Sequence, residues 1–424
     1  MIRPGDIRDM LVSNLGRKAG LYFGALLLNA ALGIVVYGML TRSMEVSSFG
    51  TYSFIIAFFA FTSMFFDFGV APAGMRLLAL LRDGDDHSRR IGALFALSTG
   101  IGILYMLLVA AASFVVDAVF SRQAGAVLLA AAPLAAVYPL QEMVLSISQG
   151  TNRMKLMSAF LVLPRLLLIV LLGAVLLTGG VDVRMAVLLT LAATGMAVGM
   201  AAGYLRPSFA GLSAEIRIVF REVREYGREV YAGRIVDGLT NGLDKMLLSF
   251  YHGMAPVGFY TLAMTMSTPI SMFSKAVAQS SYKRFVSVDR IDRRILVVNL
   301  LWCTIGALLV LAACQLLIPL FFTDRYAEAL GVLPWIVAGF ALAGLNHPFH
   351  SFLAAQRQGR AIRIMSTTSS GVNIAANLTL IPLLGMTGAG IAFIATYAVN
   401  IVMNLYYYRQ LRDGAAATRT LEEG

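Results

Sequence analysis

Apolar residues fall in blocks of about 20 separated by short polar stretches, the length a helix needs to cross a hydrocarbon core of roughly 30 Å. A backbone in lipid must satisfy its own amides, so the blocks are read as helices. The ten-residue alternating segments of a membrane β-barrel do not occur. The pattern predicts an all-α membrane protein of about twelve transmembrane helices. The spans are approximately 20–40, 49–70, 91–112, 124–146, 157–178, 184–205, 228–251, 257–279, 295–322, 331–355, 361–382 and 387–408. The first block, Leu21 to Leu40, is too long for a signal-peptide core and lacks a small-residue cleavage site. It is kept as a span.

The segment between spans six and seven behaves differently. From Glu215 to Tyr226, Ile216, Val219 or Phe220, Val223 and Tyr226 share one helical face, and Arg and Glu occupy the other. This predicts an amphipathic helix on the cytosolic interface. The predicted organisation is an N-terminal six-helix lobe over 1–212, a linker helix over 213–227, and a C-terminal six-helix lobe over 228–424 with a short cytosolic tail.

The two halves carry matching signals. Ser48-Phe49-Gly50-Thr51-Tyr52 opens span two and Pro256-Val257-Gly258-Phe259-Tyr260 opens span eight. Arg89-Arg90-Ile91 and Arg293-Arg294-Ile295 open spans three and nine, and Gln149-Gly150 and Gln358-Gly359 follow spans four and ten. Three matches in order at nearly one offset indicate a duplication. Six spans is an even number, so the repeats run parallel, as in transporters whose pathway lies between two halves.

Composition agrees with this reading. The chain has 424 residues, 58% hydrophobic and 13% charged, against roughly 25% charged in soluble domains. The net charge of +11 is explained by topology rather than by nucleic acid. With the N-terminus inside, 26 Lys and Arg fall in inside segments, while the outside loops hold Arg42, Arg122, Arg184 and Arg325. Both termini are therefore expected in the cytosol. Cys303 and Cys314 lie eleven residues apart in one block, about 16 Å along a helix, too far for a disulfide.

Eight ionisable residues fall within spans: Asp67, Glu142, Arg165, Arg234, Asp237, Asp244, Lys245 and Lys275. Each would cost about 2.5–3.5 kcal/mol at the bilayer centre on the insertion scale, so they mark a polar interior or pathway. Span seven has Arg234, Asp237, Asn241 and Asp244 at helical spacing, with Lys245 adjacent. Asn29 and Tyr37 of span one fall opposite Asp237 and Lys245 in the repeat. Spans one, two, seven and eight are expected to line a hydrated cavity. Its pathway candidates are Arg165, Arg234, Asp237, Asn241, Lys245, Lys275, Asn29 and Tyr37. Two readings of Arg234 stay open: substrate contact, or a neutralising pair with Asp237 three residues on. Asp67, Asp237 and Glu142 are the candidates for coupling to a H+ or Na+ gradient. His347 and His350 have no Cys, Asp or Glu close in sequence to complete a metal site. No phosphate-binding Gly-rich loop or nucleophile elbow occurs, so neither a catalytic residue nor a cofactor is expected. A membrane polysaccharide polymerase is the enzyme alternative, disfavoured by the short outside loops.

The segment Asn14 to Val70 resembles the opening of Wzx-type polysaccharide-transporter flippases. The features are the long first span, Ser48-Phe49-Gly50-Thr51-Tyr52, and Phe66-Asp67-Phe68-Gly69 closing span two. Gly242-Leu243-Asp244-Lys245-Met246-Leu247-Leu248 and Val257-Gly258-Phe259-Tyr260-Thr261-Leu262-Ala263 extend the resemblance. It implies the multidrug/oligosaccharidyl-lipid/polysaccharide exporter superfamily, with two six-helix lobes and alternating access. It further implies a flippase of the bacterial inner membrane that moves undecaprenyl-diphosphate-linked oligosaccharides to the periplasmic leaflet. Arg165, Arg234, Lys245 and Lys275 would then meet the diphosphate. Membrane lipids, a polysaccharide polymerase and a chain-length regulator are the implied partners, and no nucleic acid is. The alternative within the superfamily is a cation-coupled multidrug exporter.

Overall fold

The structure is a computed structural model describing residues 14–81, 87–286 and 288–422; within these, some side chains, including those of Asp237 and Asn241, lie outside the described residues. Among the described residues it is helical throughout, with no strand. Fourteen α-helices are described: α1 (Asn14–Ser43), α2 (Val46–Ser63), α3 (Val70–Leu80), α4 (His87–Val119), α5 (Arg122–Ala131), α6 (Val137–Gly150), α7 (Met154–Thr178), α8 (Val183–Leu205), α9 (Leu212–Glu222), α10 (Arg228–His252), α11 (Met254–Phe285), α12 (Arg293–Leu317), α13 (Ala329–Ala355) and α14 (Gly359–Glu422).

The predicted spans fall on these helices, span four on the bent pair α5 and α6 and spans eleven and twelve together on α14. Among the described residues, eight helices are long and apolar enough to cross a membrane, and nine if the bent pair α5–α6 forms one span. The difference from twelve has physical causes. Helices α10 and α11, which carry the polar residues of spans seven and eight, are not among the eight: both are too polar. Helix α14 joins predicted spans eleven and twelve across Gly385, whose φ of 59° and ψ of −131° break the helix. That break frees the Ile381 carbonyl, and His252 at the end of α10 answers it: Nε2 lies 2.7 Å from the oxygen. The oxygen only accepts, so Nε2 carries the proton. His252→Phe orphans this carbonyl, a loss of about 1–3 kcal/mol. A fall in the thermal midpoint of the purified protein checks it.

The chain divides into two compact units, Met1–Gly238 and Leu239–Gly424. The core of the first unit gathers Val70, Leu78, Ile91, Leu94, Val144, Ile147, Leu205 and Val219, all buried. Helix α3 belongs to this core and has no counterpart among the predicted elements. It follows Gly69, whose φ of +78° turns the chain after α2 and its 3-10 extension, Met64–Phe66.

Helix α9 is amphipathic as predicted, but its apolar side is partly spent on protein. Val219 is fully buried in the core of the first unit, while the adjacent Phe220 is 49% exposed. Glu215 pairs with Arg90 at the start of α4. Glu222 pairs with Arg76 of α3, whose guanidinium also lies 5.0 Å from the Tyr226 ring centroid. The helix is docked on α3 and α4 by a buried valine between two ion pairs. A single π-turn, Val223–Gly227, then leads into α10.

In the second unit, Phe285, Ile291, Phe352 and Ala355 form a buried cluster packed against Tyr408. Asp292 caps α12, accepting the Arg294 amide at 2.9 Å and Nη2 of Arg284 at 3.0 Å. These bonds to its ionised form, the Arg294 amide foremost, hold its carboxyl below the usual range.

Candidate functional site

Proline at position 164 interrupts the i→i−4 ladder inside α7. The next residue, Arg165, reaches α1 and donates from Nη1 to the Asn29 carbonyl at 2.6 Å. That carbonyl already lies one helical turn before Gly33. A Cβ at Gly33 would stand 1.7 Å from Arg165 Nη1, so the glycine makes room for the guanidinium. Arg165 thereby enters a cavity of about 300 Å³ built entirely from helices of the first unit. Asn29, Gly33 and Tyr37 of α1 line it, with Tyr52 of α2, Tyr138 and Gln141 of α6, and Thr190 and Thr194 of α8.

The cavity wall is ordered. Tyr52 Oη lies 3.1 Å from Thr190 Oγ1. The Tyr138 ring stacks on Phe59 at 5.2 Å, and Tyr37 meets Phe49 edge-on at 5.3 Å. No Asp or Glu lines the cavity, and no carboxylate among the described residues pairs with Arg165. A guanidinium offers five N–H donors; the described bond occupies one.

A second cluster lies elsewhere in the same unit. Asp67 Oδ1 accepts the Ala71 amide at 3.0 Å and so caps α3. Its Oδ2 accepts from Arg234 Nη1 at 3.3 Å. Arg234 Nη2 reaches Glu142 Oε2 at 3.4 Å. One turn earlier on α10, the Tyr231 hydroxyl donates to the Phe65 carbonyl at 2.7 Å and fixes this helix beside the end of α2. The described partners of Arg234 are therefore two carboxylates distant in sequence; the Asp237 side chain that helical spacing also offers it lies outside the described residues.

In the second unit, Asp244 accepts the Tyr260 hydroxyl at 2.7 Å and the Lys245 amide at 2.8 Å. Tyr260 is buried, so the carboxylate is fixed in place. Lys275 is exposed on α11.

Three of the predicted pathway residues, Asn29, Tyr37 and Arg165, thus meet at one cavity. Arg234 joins Asp67 and Glu142, two of the three coupling candidates. Lys245 and Lys275 belong to the other unit. Sequence reasoning missed Tyr52, Tyr138, Gln141, Thr190 and Thr194. A signal for two pairs was present: Tyr138 with Gln141 and Thr190 with Thr194 stand three and four residues apart inside apolar helices, placing each pair on one face.

A family model described as "Polysaccharide biosynthesis protein" matches residues 15–288. No curated protein sequence matches the chain. Solved structures share its fold at low identity. A lipid II flippase MurJ in an inward closed conformation superposes with a TM-score of 0.70 at 13% identity, covering 92% of this chain and 90% of that one. An inward-facing multidrug resistance MATE transporter of the MOP superfamily gives 0.65 at 16% identity, covering 93% and 96%. A MOP superfamily transporter from Pyrococcus furiosus, described as having a binding pocket of reverse polarity, gives 0.63 at 14%, covering 97% and 98%.

Proposed function

Because the chain belongs to the polysaccharide biosynthesis protein family, with a fold shared by MOP superfamily transporters, we propose that it is a flippase for lipid-linked oligosaccharides. It carries undecaprenyl-diphosphate-linked units from the cytosolic to the periplasmic leaflet of the inner membrane, with both termini in the cytosol. The units feed a surface polymer: O-antigen, capsule or exopolysaccharide. A polysaccharide polymerase and a chain-length regulator act on the product. The observation that carries this choice over a multidrug exporter is Arg165, a cation lining a cavity that has no carboxylate in its wall. A cationic drug would be repelled there; an anionic saccharide would not.

Translocation proceeds by alternating access. Arg165, Arg234, Lys245 and Lys275 supply positive charge along the path, with Asp237, Asn241, Asn29 and Tyr37 as polar contacts. The Asp67–Arg234–Glu142 cluster sets two carboxylates against one guanidinium, leaving one negative charge that a proton or a sodium ion neutralises. Asp237, one turn further along α10, is the third coupling group.

The test is a deletion strain. Complete lipid-linked units should accumulate on the cytosolic leaflet, inaccessible from the periplasm, and their mass identifies the repeat unit. Normal surface polymer together with new sensitivity to cationic drugs would reject the flippase in favour of drug export.

A further inference from the structure

The Arg165 cavity is small, partly open and lined by helices of one unit. At roughly 30 Å³ per water, its 300 Å³ amounts to about ten waters, the bulk of one sugar ring with its substituents. It is also chemically one-sided. Its charge is Arg165, held by Asn29 on one side only, and the rest of its polar wall is neutral: phenols of Tyr37, Tyr52 and Tyr138, hydroxyls of the threonines, and the Gln141 amide. Aromatic rings beside hydroxyl and amide groups suit a pyranose, and a fork of guanidinium N–H groups suits two oxygens of one oxyanion.

We propose that this cavity is a binding site for an oxyanion, a carboxylate or phosphate, borne on a single sugar residue. It follows that the glycan carried is acidic, with a uronic acid or phosphate-bearing sugar in its repeat. This deepens the flippase reading and rests on it for the ligand's origin. The binding itself does not need translocation, so the two fail separately. Gly33 is the residue that admits Arg165, and Ala60 of α2 lines the same cavity and is exposed, so a larger side chain there takes up space while leaving Arg165 itself unchanged.

The experiment is calorimetric titration of the full-length protein in lipid nanodiscs with glucuronate, glucose 6-phosphate, inorganic phosphate and glucose. The two acidic sugars should bind with millimolar Kd, and glucose at least about tenfold more weakly. Arg165→Gln should abolish the difference between acidic and neutral sugars, and Arg165→Lys should restore part of it. Ala60→Phe should weaken both acidic sugars with Arg165 intact. Failure of both acidic sugars to bind, or glucose binding as tightly as they do, overturns the site. So does undiminished acidic-sugar binding by an Arg165→Gln protein that elutes and unfolds like the parent. Inorganic phosphate binding as tightly as glucose 6-phosphate would keep the oxyanion and overturn the sugar. If the deletion strain shows trapped lipid-linked units and no acidic ligand binds, only this inference falls.

Discussion

Arg234→Ala should reduce translocation at least about tenfold while leaving the protein folded. Arg234 bridges Asp67 and Glu142 at 3.3 and 3.4 Å, so its loss leaves two carboxylates facing one another without a cation. The stability term is small. The Arg234 and Glu142 side chains are 44% and 47% exposed, and pairs so exposed contribute on the order of 0–1 kcal/mol. Asp67 also keeps its bond to the Ala71 amide and is not orphaned. The functional term is larger, because the net charge of the cluster changes by a whole unit. The double variants Arg234→Ala with Asp67→Asn, or with Glu142→Gln, return that charge to its original value and should recover part of the flux. Reconstituted vesicles with an imposed gradient provide the readout, with protein amount measured alongside. Asp67→Asn and Glu142→Gln alone should flatten the dependence on the gradient. Wild-type flux from Arg234→Ala would make the cluster a packing device and nothing more.

Gly69→Ala should destabilise the first unit by about 3 kcal/mol or more. Two terms add. At φ +78° a Cβ costs roughly 1–2 kcal/mol. That Cβ would also stand 2.6 Å from both the carbonyl carbon and the oxygen of Gly227, backbone atoms that cannot swing aside; overpacking of this kind adds about 1–3 kcal/mol. Gly227→Ala meets the Gly69 oxygen at 2.4 Å but has no positive φ, so it should cost less. Gly173→Ala and Gly199→Ala, where nothing lies within 4 Å, should shift stability the other way by about 0.5–1 kcal/mol through helix propensity. Thermal unfolding in detergent checks the order, and a Gly69→Ala protein as stable as Gly173→Ala would contradict it.

These two predictions rest on contacts of different visibility. The helices themselves were legible, because a bilayer forces apolar residues into blocks of one length. Helix α3 was not. Its residues, Val-Ala-Pro-Ala-Gly-Met-Arg-Leu-Leu-Ala-Leu, follow an apolar span directly, and the turn that separates them is only Asp67-Phe68-Gly69, with Phe68 and Gly69 both at positive φ. The amphipathic pattern of α9 was visible, but a pattern shows which face is apolar and not what covers it. Lipid and the side chains of α3 and α4 are equally good answers until Val219 is seen buried. For the site, helical spacing reveals partners three and four residues away. It could not offer Asp67 and Glu142 to Arg234, because they lie 167 and 92 residues back. Arg165 stood out as a charge within a span, yet its partner is a main-chain carbonyl, which every residue possesses and no sequence marks.

The π-turn at Val223–Gly227 fixes the length of the chain between two anchors. Upstream, Glu222 is tied to Arg76; downstream, Gly227 abuts Gly69 and Arg234 spans Asp67 and Glu142. Removing one residue between the anchors would let the helix run on in ordinary α phase, relieving the wide turn locally. Everything after it would then be rotated by about 100° and drawn back about 1.5 Å, and Arg234 would swing away from both carboxylates. Substitutions along this stretch are thus cheap compared with a change in its length. Among related sequences, the number of residues between the positions of Glu222 and Arg234 should vary less than their identities do.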